Sequence, residues 1–356
     1  KSGAEDYKLA STLSTQYIFP NSAEETAVLK AALQANPNDA TAHFLLGTLY
    51  FSHASTDAAL TEWSEARKAE AKLPVLDANT GLALLHIKHE PAKALEAFRD
   101  GLTNDPTNVA IYLGMDQSLS LLGRPTRERV EALEKYPQLA DAPNPLMFEL
   151  ILNLAEAGDF DHATNLFKNH FFPREEGGTN VRQVWVEVQL QYVLSLAKQG
   201  HCTEALATAQ HLGSEVPGLD FTKDGLDPII NSARTNYLLG TAYAVCGKAD
   251  GAKAKYEQAA SASGTDQIRW AWLAAQKLPN FDQQKWQARL QTALTDATNR
   301  TETSAYPSWW MYNAAELEKE LGKSQEADAR FQKALLLPDR MLAYHFTRLA
   351  QSKAAQ

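Results

Sequence analysis

The chain has 356 residues, 44% of them hydrophobic and 22% charged, a balance that belongs to a folded protein rather than a disordered one. Its net charge of −9, with no basic run, argues against nucleic acid as the main ligand. No apolar stretch approaches the roughly 20 residues needed to cross a bilayer, so the chain reads as soluble, with no membrane partner.

The chain begins at Lys1 rather than Met, as a mature form or a fragment would. Residues 1–20 read as a short helix followed by a docking turn at Tyr17, Ile18, Phe19 and Pro20. Ser22 and Glu25 make an S-x-x-E capping box, which predicts a helix from Ala23 to Ala35 stopped by Asn36 and Pro37. A pattern then starts, with Leu46, Gly47 and Tyr50 followed by Ala59, Trp63 and Ala66. A weaker copy spans residues 75–106, where Ala94, Phe98 and Gly101 keep the second half while Leu82 stands where glycine is expected. Residues 109–137 read as a divergent copy turning at Gly123, and residues 145–170 restore the pattern through Leu150, Leu154, Ala163 and Phe167, with Gly158 as the turn.

Spacing then slips beyond a period of about 34 residues, which places insertions in the connections. Residues 173–180 and 217–228, rich in Gly, Pro and Asp, are expected to be surface loops. Cys202 and Cys246 fall near the turns of consecutive pairs, where two free thiols are expected over a bridge. The fullest copy follows, with Leu239, Gly240, Tyr243, Ala252, Tyr256 and Ala259. Another pair over 266–295 keeps only bulk, supplied by Trp270, Trp272 and Trp286. The last pair runs over 307–337 through Ala327, Phe331 and Ala334, and residues 340–350 are expected to form a terminal helix covering the exposed face of the stack.

These offsets resemble the tetratricopeptide (TPR) pattern W-x₂-L-G-x₂-Y…A-x₃-F. Small residues let two antiparallel helices approach, bulky ones fill the space between them, and one pair cannot bury its own apolar face. The resemblance implies an all-α, right-handed α-solenoid of about eight helix-turn-helix repeats. It is read as a single unit over 1–356: N-terminal helices to 35, repeats over 36–337 and a cap over 338–356. LLGRPTRERVEALEKYP at 121–137, with residues 154–190 including FFPREEGG, is also similar to the C-terminal TPR half of bacterial proteins whose N-terminal half is a β-rich, galactose-mutarotase-like domain. That likeness implies a helical scaffold working beside a sugar-related domain, in a bacterial cytoplasm or periplasm.

By family analogy the first helix of each repeat lines a concave groove, which here would present Phe44, Phe51, Asn79, His86, Gln117, Arg234, Tyr237, Trp309 and Tyr312. Such a groove suits a protein or peptide, or an extended glycan. The alternative for each aromatic is packing against a neighbouring helix. The Lys and Asn clamp for a C-terminal carboxylate is not recognisable. His86 and His89, three apart on one helix with Glu90 following, have a metal-ligand spacing, but two ligands do not make a site. Glu175 and Glu176 share a glycine-rich loop, where nothing would raise one pKa for acid-base work. With no nucleophile elbow or phosphate loop, no catalytic residue, metal or cofactor is assigned. The reading is a non-catalytic interaction scaffold, with a carbohydrate-binding or accessory module of a sugar-processing protein as the alternative.

Overall fold

The computed structural model describes residues 7–8, 11, 19–69, 73, 75–172, 181–214, 219, 223–339 and 341–351. Residues 173–180, with Glu175 and Glu176, most of residues 1–18 and part of the 217–228 segment lie outside the described residues. Among the described residues every regular element is helical, and no helix is long and apolar enough to cross a membrane.

Helix α1 (Ala23–Ala35) opens on its capping box: the Glu25 amide donates to Ser22 Oγ (3.2 Å), and the Ser22 amide donates to Glu25 Oε2 (2.8 Å). Eight helix pairs follow among the described residues. They are α2 (Ala40–Ser52) with α3 (Thr56–Ala69), α4 (Leu76–His86) with α5 (Pro91–Asn104), and α6 (Val109–Leu121) with α7 (Thr126–Leu133). Next come α8 (Asn144–Glu156) with α9 (Phe160–Asn169), and α10 (Val181–Lys198) with α11 (Cys202–His211). After the single helix α12 (Lys223–Ile230) stand α13 (Ala233–Val245) with α14 (Ala249–Ala260), α15 (Ile268–Ala275) with α16 (Gln283–Thr303), and α17 (Pro307–Glu320) with α18 (Ser324–Leu336). Helix α19 (Met341–Gln351) ends the described chain. The fold is an all-α helical repeat. It falls into two compact units, residues 1–146 and 147–356.

Alternation of side-chain size makes the pairs. A Cβ on Gly47 would stand 2.5 Å from Trp63 Cδ1, and one on Gly240 would stand 2.7 Å from Tyr256 Cε1, so each aromatic occupies room that only glycine leaves. Trp63 also donates its Nε1 hydrogen to the Phe44 carbonyl (3.2 Å). In the weaker copy the glycine is not lost but displaced by one position. Gly81, with Gly114 of α6, makes the space that Phe98 fills, and Leu82 is only half-buried. Trp272 and Trp286 are buried in the core around α15 and α16, whereas Trp270 turns inward toward the site described below.

Three expectations are corrected. His89 is not on a helix with His86: α4 ends at His86, and His89 stands in the turn with a φ of +56°. The turn must lead into Pro91, and a residue before proline avoids the helical region. The second half of the 217–228 segment is helical rather than loop. Leu226 is fully buried, and the α12 carbonyls of Ile229 and Ile230 accept from Thr235 Oγ1 (2.9 Å) and Asn236 Nδ2 (3.1 Å), which outweighs Pro228 inside the helix. Cys202 and Cys246 form a disulfide (Cα–Cα 5.4 Å), because the start of α11 stacks beside the end of α13.

The disulfide closes a loop of 44 residues. A loop of that length constrains the unfolded chain by about 4 kcal/mol in the chain-entropy account. Reduction, or Cys202→Ala with Cys246→Ala, should therefore lower unfolding stability by a few kcal/mol in guanidinium titrations. Thiol alkylation of the unreduced, denatured protein should find no free cysteine.

Candidate functional site

Seven consecutive residues of α19, from Leu342 to Arg348, are buried, so the polar side chains of His345, Thr347 and Arg348 among them need partners within the protein. It packs on both helices of the last pair, α17 and α18, and on first helices of the earlier pairs. Arg348 donates from Nη1 to Glu149 (3.1 Å) and from Nη2 to Asn153 (2.8 Å) and Glu156, all on α8. His345, fully buried, lies 3.6 Å from Glu187 Oε1 of α10 and 4.0 Å from Glu156 Oε2, with Gln191 Nε2 at 2.7 Å. Phe346 packs on Trp309 and Tyr312 of α17 (centroids 6.1 and 5.8 Å) and receives the Arg234 guanidinium of α13 on its face at 4.1 Å. The short link from α18 is pinned as well: the Ser308 amide donates to Asp339 Oδ2 (2.9 Å), and Ser308 Oγ donates to the Asp339 carbonyl (2.5 Å).

Two ion pairs frame the interior beside α19. Glu187 and Arg234 meet through two hydrogen bonds, one of them Arg234 Nη2 to Glu187 Oε1 (3.0 Å). Arg269 of α15 pairs with Glu316 (2.5 Å) and Glu320 (3.0 Å) of α17 and lies over the Trp270 ring at 4.4 Å. Burial pushes the Glu187 carboxyl upward, but Arg234 and then His345 outweigh it and hold it well below the usual carboxylate range. Glu316 goes the other way: burial raises it despite the pull of Arg269. Burial, then Glu316, pushes the Tyr312 phenol up. Two cavities flank this frame, of 560 and 240 Å³, and Glu187, Arg234, Trp270, Tyr312 and Phe346 line both, so Phe346 with its partners is the partition between them.

The nine residues expected to line a groove divide between the units. Arg234, Tyr237, Trp309 and Tyr312 are brought together in the second unit, around Phe346, and Tyr312 is buried there. Phe44, Phe51, Asn79, His86 and Gln117 belong to the first. Phe44 and Gln117 are buried, Phe44 within the core around Trp63. Asn79 and His86 are half-buried, and Phe51 is 37% exposed with its ring 5.5 Å from Trp63. Glu187, Arg269, Glu316, His345 and Arg348 were not singled out by sequence. A charged residue at mid-helix within an apolar first helix was the available signal, most visible at Glu187 in VWVEVQL.

No family model matches the chain, and no curated protein is similar to it in sequence. Solved structures do resemble it, three of them as follows. A structure of Naa15/Naa10 bound to HypK-THB matches at 15% identity over 87% of this chain, with a TM-score of 0.36, and this chain spans only 55% of that one. PilW, a widely conserved type IV pilus biogenesis factor, matches at 19% identity over 58% of this chain and 89% of PilW, with a TM-score of 0.32. The TPR domain of P58(IPK) matches at 12% identity over 92% of this chain and 94% of that domain, with a TM-score of 0.25. At these values the likeness is one of helical-repeat fold alone, and the helix-pair architecture rests on its own contacts.

Glu187→Gln leaves a largely buried Arg234 without its counter-charge, which should cost about 3–5 kcal/mol. Because the folded-state pKa of Glu187 is depressed, its stabilisation is present above the ordinary carboxylate value of 4.5 and is lost as pH falls below it. Denaturant titrations should show the gap between parent and variant closing in acid. Trp309→Ala with Tyr312→Ala strips two aromatics from Phe346 and should lower the unfolding midpoint strongly, a fully buried aromatic being worth roughly 3–5 kcal/mol.

Proposed function

We propose that the protein is a non-catalytic interaction scaffold whose partner is a protein or peptide, taken up by the first unit. The observation that carries this reading is a row of exposed apolar side chains at the ends of three successive first helices. Phe51 at the end of α2 is 37% exposed, Ile87 just past α4 is 52% exposed, and Leu122 just past α6 is 39% exposed. Isolated exposed apolar residues are ordinary, but one at the same place in each of three successive pairs is a recurrence that a protein contact would explain. Asn79 and His86, half-buried on α4, lie on the same first helices and would supply polar contacts. In the second unit α19 fills the inner face of α8, α10, α13 and α17, which a partner would otherwise use.

The resemblance read at 121–137 and 154–190 suggests a β-rich, sugar-related domain as that partner, with direct glycan binding by this chain as the alternative. Of the two bacterial compartments, the disulfide favours the periplasm, where thiols are kept oxidised.

Phe51→Ser, Ile87→Ser and Leu122→Ser together should leave the helical circular dichroism unchanged and abolish partner crosslinks from a photoreactive residue at Lys88. Undiminished crosslinking would move the contact off these residues. A calorimetric screen of neutral sugars that gives no heat would remove the glycan alternative.

A further inference from the structure

The only two cysteines of the chain form the Cys202–Cys246 bond, and they stand at opposite ends of their helices. Cys202 is the first residue of α11, and the N-cap residue His201 makes no side-chain hydrogen bond to that end. The first amides of a helix have no partner within it and carry the positive end of its dipole, which favours a thiolate. Cys246 is the C-cap of α13, whose last carbonyls carry the negative end. Two neighbouring charges act against this bias, Glu204 in the first turn of α11 and Lys248 two residues past Cys246. Both are exposed, so water and salt screen them, and Glu204 Oε1 already accepts the Tyr192 hydroxyl (2.9 Å).

The bond is also within reach of a reagent. Both cysteines are half-buried, and His201, Thr203, Val245, Gly247 and Lys248 around them are exposed. Exposed disulfides exchange more readily than buried ones, and a thiol of lowered pKa is the better leaving group. Breaking the bond need not open the unit, because two hydrogen bonds between Glu187 and Arg234 join α10 to α13 independently of it.

We propose that the Cys202–Cys246 bond is a redox-exchange site whose substrate is a dithiol, and that the exchange has a fixed direction. A thiolate of the dithiol attacks Cys246 Sγ; a new S–S bond forms there, and the protein S–S bond breaks with its electron pair leaving on Cys202. The second thiol of the reductant, as thiolate, attacks its partner sulfur in the mixed disulfide and expels the Cys246 thiolate, which takes up the proton that the thiol gave up. Two electrons have then passed to the protein, and the dithiol departs with an internal disulfide. The stacked turns of α11 and α13 are untied while their helices stay in place. This exchange is independent of the protein contact assigned to the first unit, and failure of one leaves the other standing.

The test uses the oxidised full chain without denaturant. With excess glutathione as a monothiol probe and an acid quench, peptide mass spectrometry should find the mixed disulfide mainly on Cys246. Dithiothreitol should reduce the bond completely with unchanged helical circular dichroism. Its rate should be the same with and without guanidinium below the unfolding transition, whereas a bond reached only through unfolding would be cleaved faster as denaturant is added. Once reduced, the chain should react with iodoacetamide several-fold faster at Cys202 than at Cys246, as a helix N-terminus demands. Cys246→Ala and Cys202→Ala, each with one thiol left, should give the same order; should either fail to fold, the mapping on the native chain decides. No cleavage of the native chain, cleavage that accelerates with guanidinium, a mixed disulfide on Cys202 as often as on Cys246, or Cys202 as the slower thiol overturns the proposal.

Discussion

The fork of Arg348 on Glu149, Asn153 and Glu156 joins the last helix of the chain to the first helix of its unit, across up to 199 residues of sequence. Most of what is distinctive in that unit follows from it. Were α19 elsewhere, the inner faces of α8, α10, α13 and α17 would be wet, and their glutamates and arginines would be ordinary solvated groups. With α19 inside, the same groups lose their water and must be matched to one another. Glu187 is then held ionised by Arg234 and His345, while Glu316 is raised by burial. Removing one member of such a pair is costly, whereas the intact pair gains little over a well-packed apolar substitute. Its contribution is therefore to register: Arg348 and His345 fit the carboxylates of α8 and α10 in one position along the helix.

Around that centre the repeat is held by local geometry. Gly47 faces Trp63, and Gly240 faces Tyr256, each aromatic standing where a methyl group would collide. The second copy meets the same requirement through Gly81, one position from where the pattern places it, with Gly114 of the following pair completing the space for Phe98. The requirement is for a gap of a given size between helices, and the sequence position that provides it can move by one. The disulfide between the start of α11 and the end of α13 adds a covalent tie at the stacked turns.

The two units divide the work differently. In the first, Phe51, Ile87 and Leu122 stand exposed at the ends of α2, α4 and α6. In the second, α19 converts what would be an open inner face into two chambers that share Trp270, Tyr312 and Phe346 in their walls. A helical repeat lends itself to both, because each pair needs only its neighbours and leaves its inner face free to be filled or presented.

Helix existence and pairing were legible along most of the chain because they depend on contacts a few to a few tens of residues apart: the capping box at Ser22, the glycine and alanine at each close approach, the turn glycines such as Gly158. The interior of the second unit was not. A buried Glu187 and a solvated one look alike in sequence, and Tyr312 reads equally as a groove residue or as a packing residue. Cys202 and Cys246 become a bridge only once two turns are stacked. The amino-acid sequence by itself determined the helix pairs, since small and large side chains act within and between adjacent helices. Only the tertiary structure decided where α19 goes, and with it which charges lose their water, because that depends on contacts nearly 200 residues apart that no local pattern encodes.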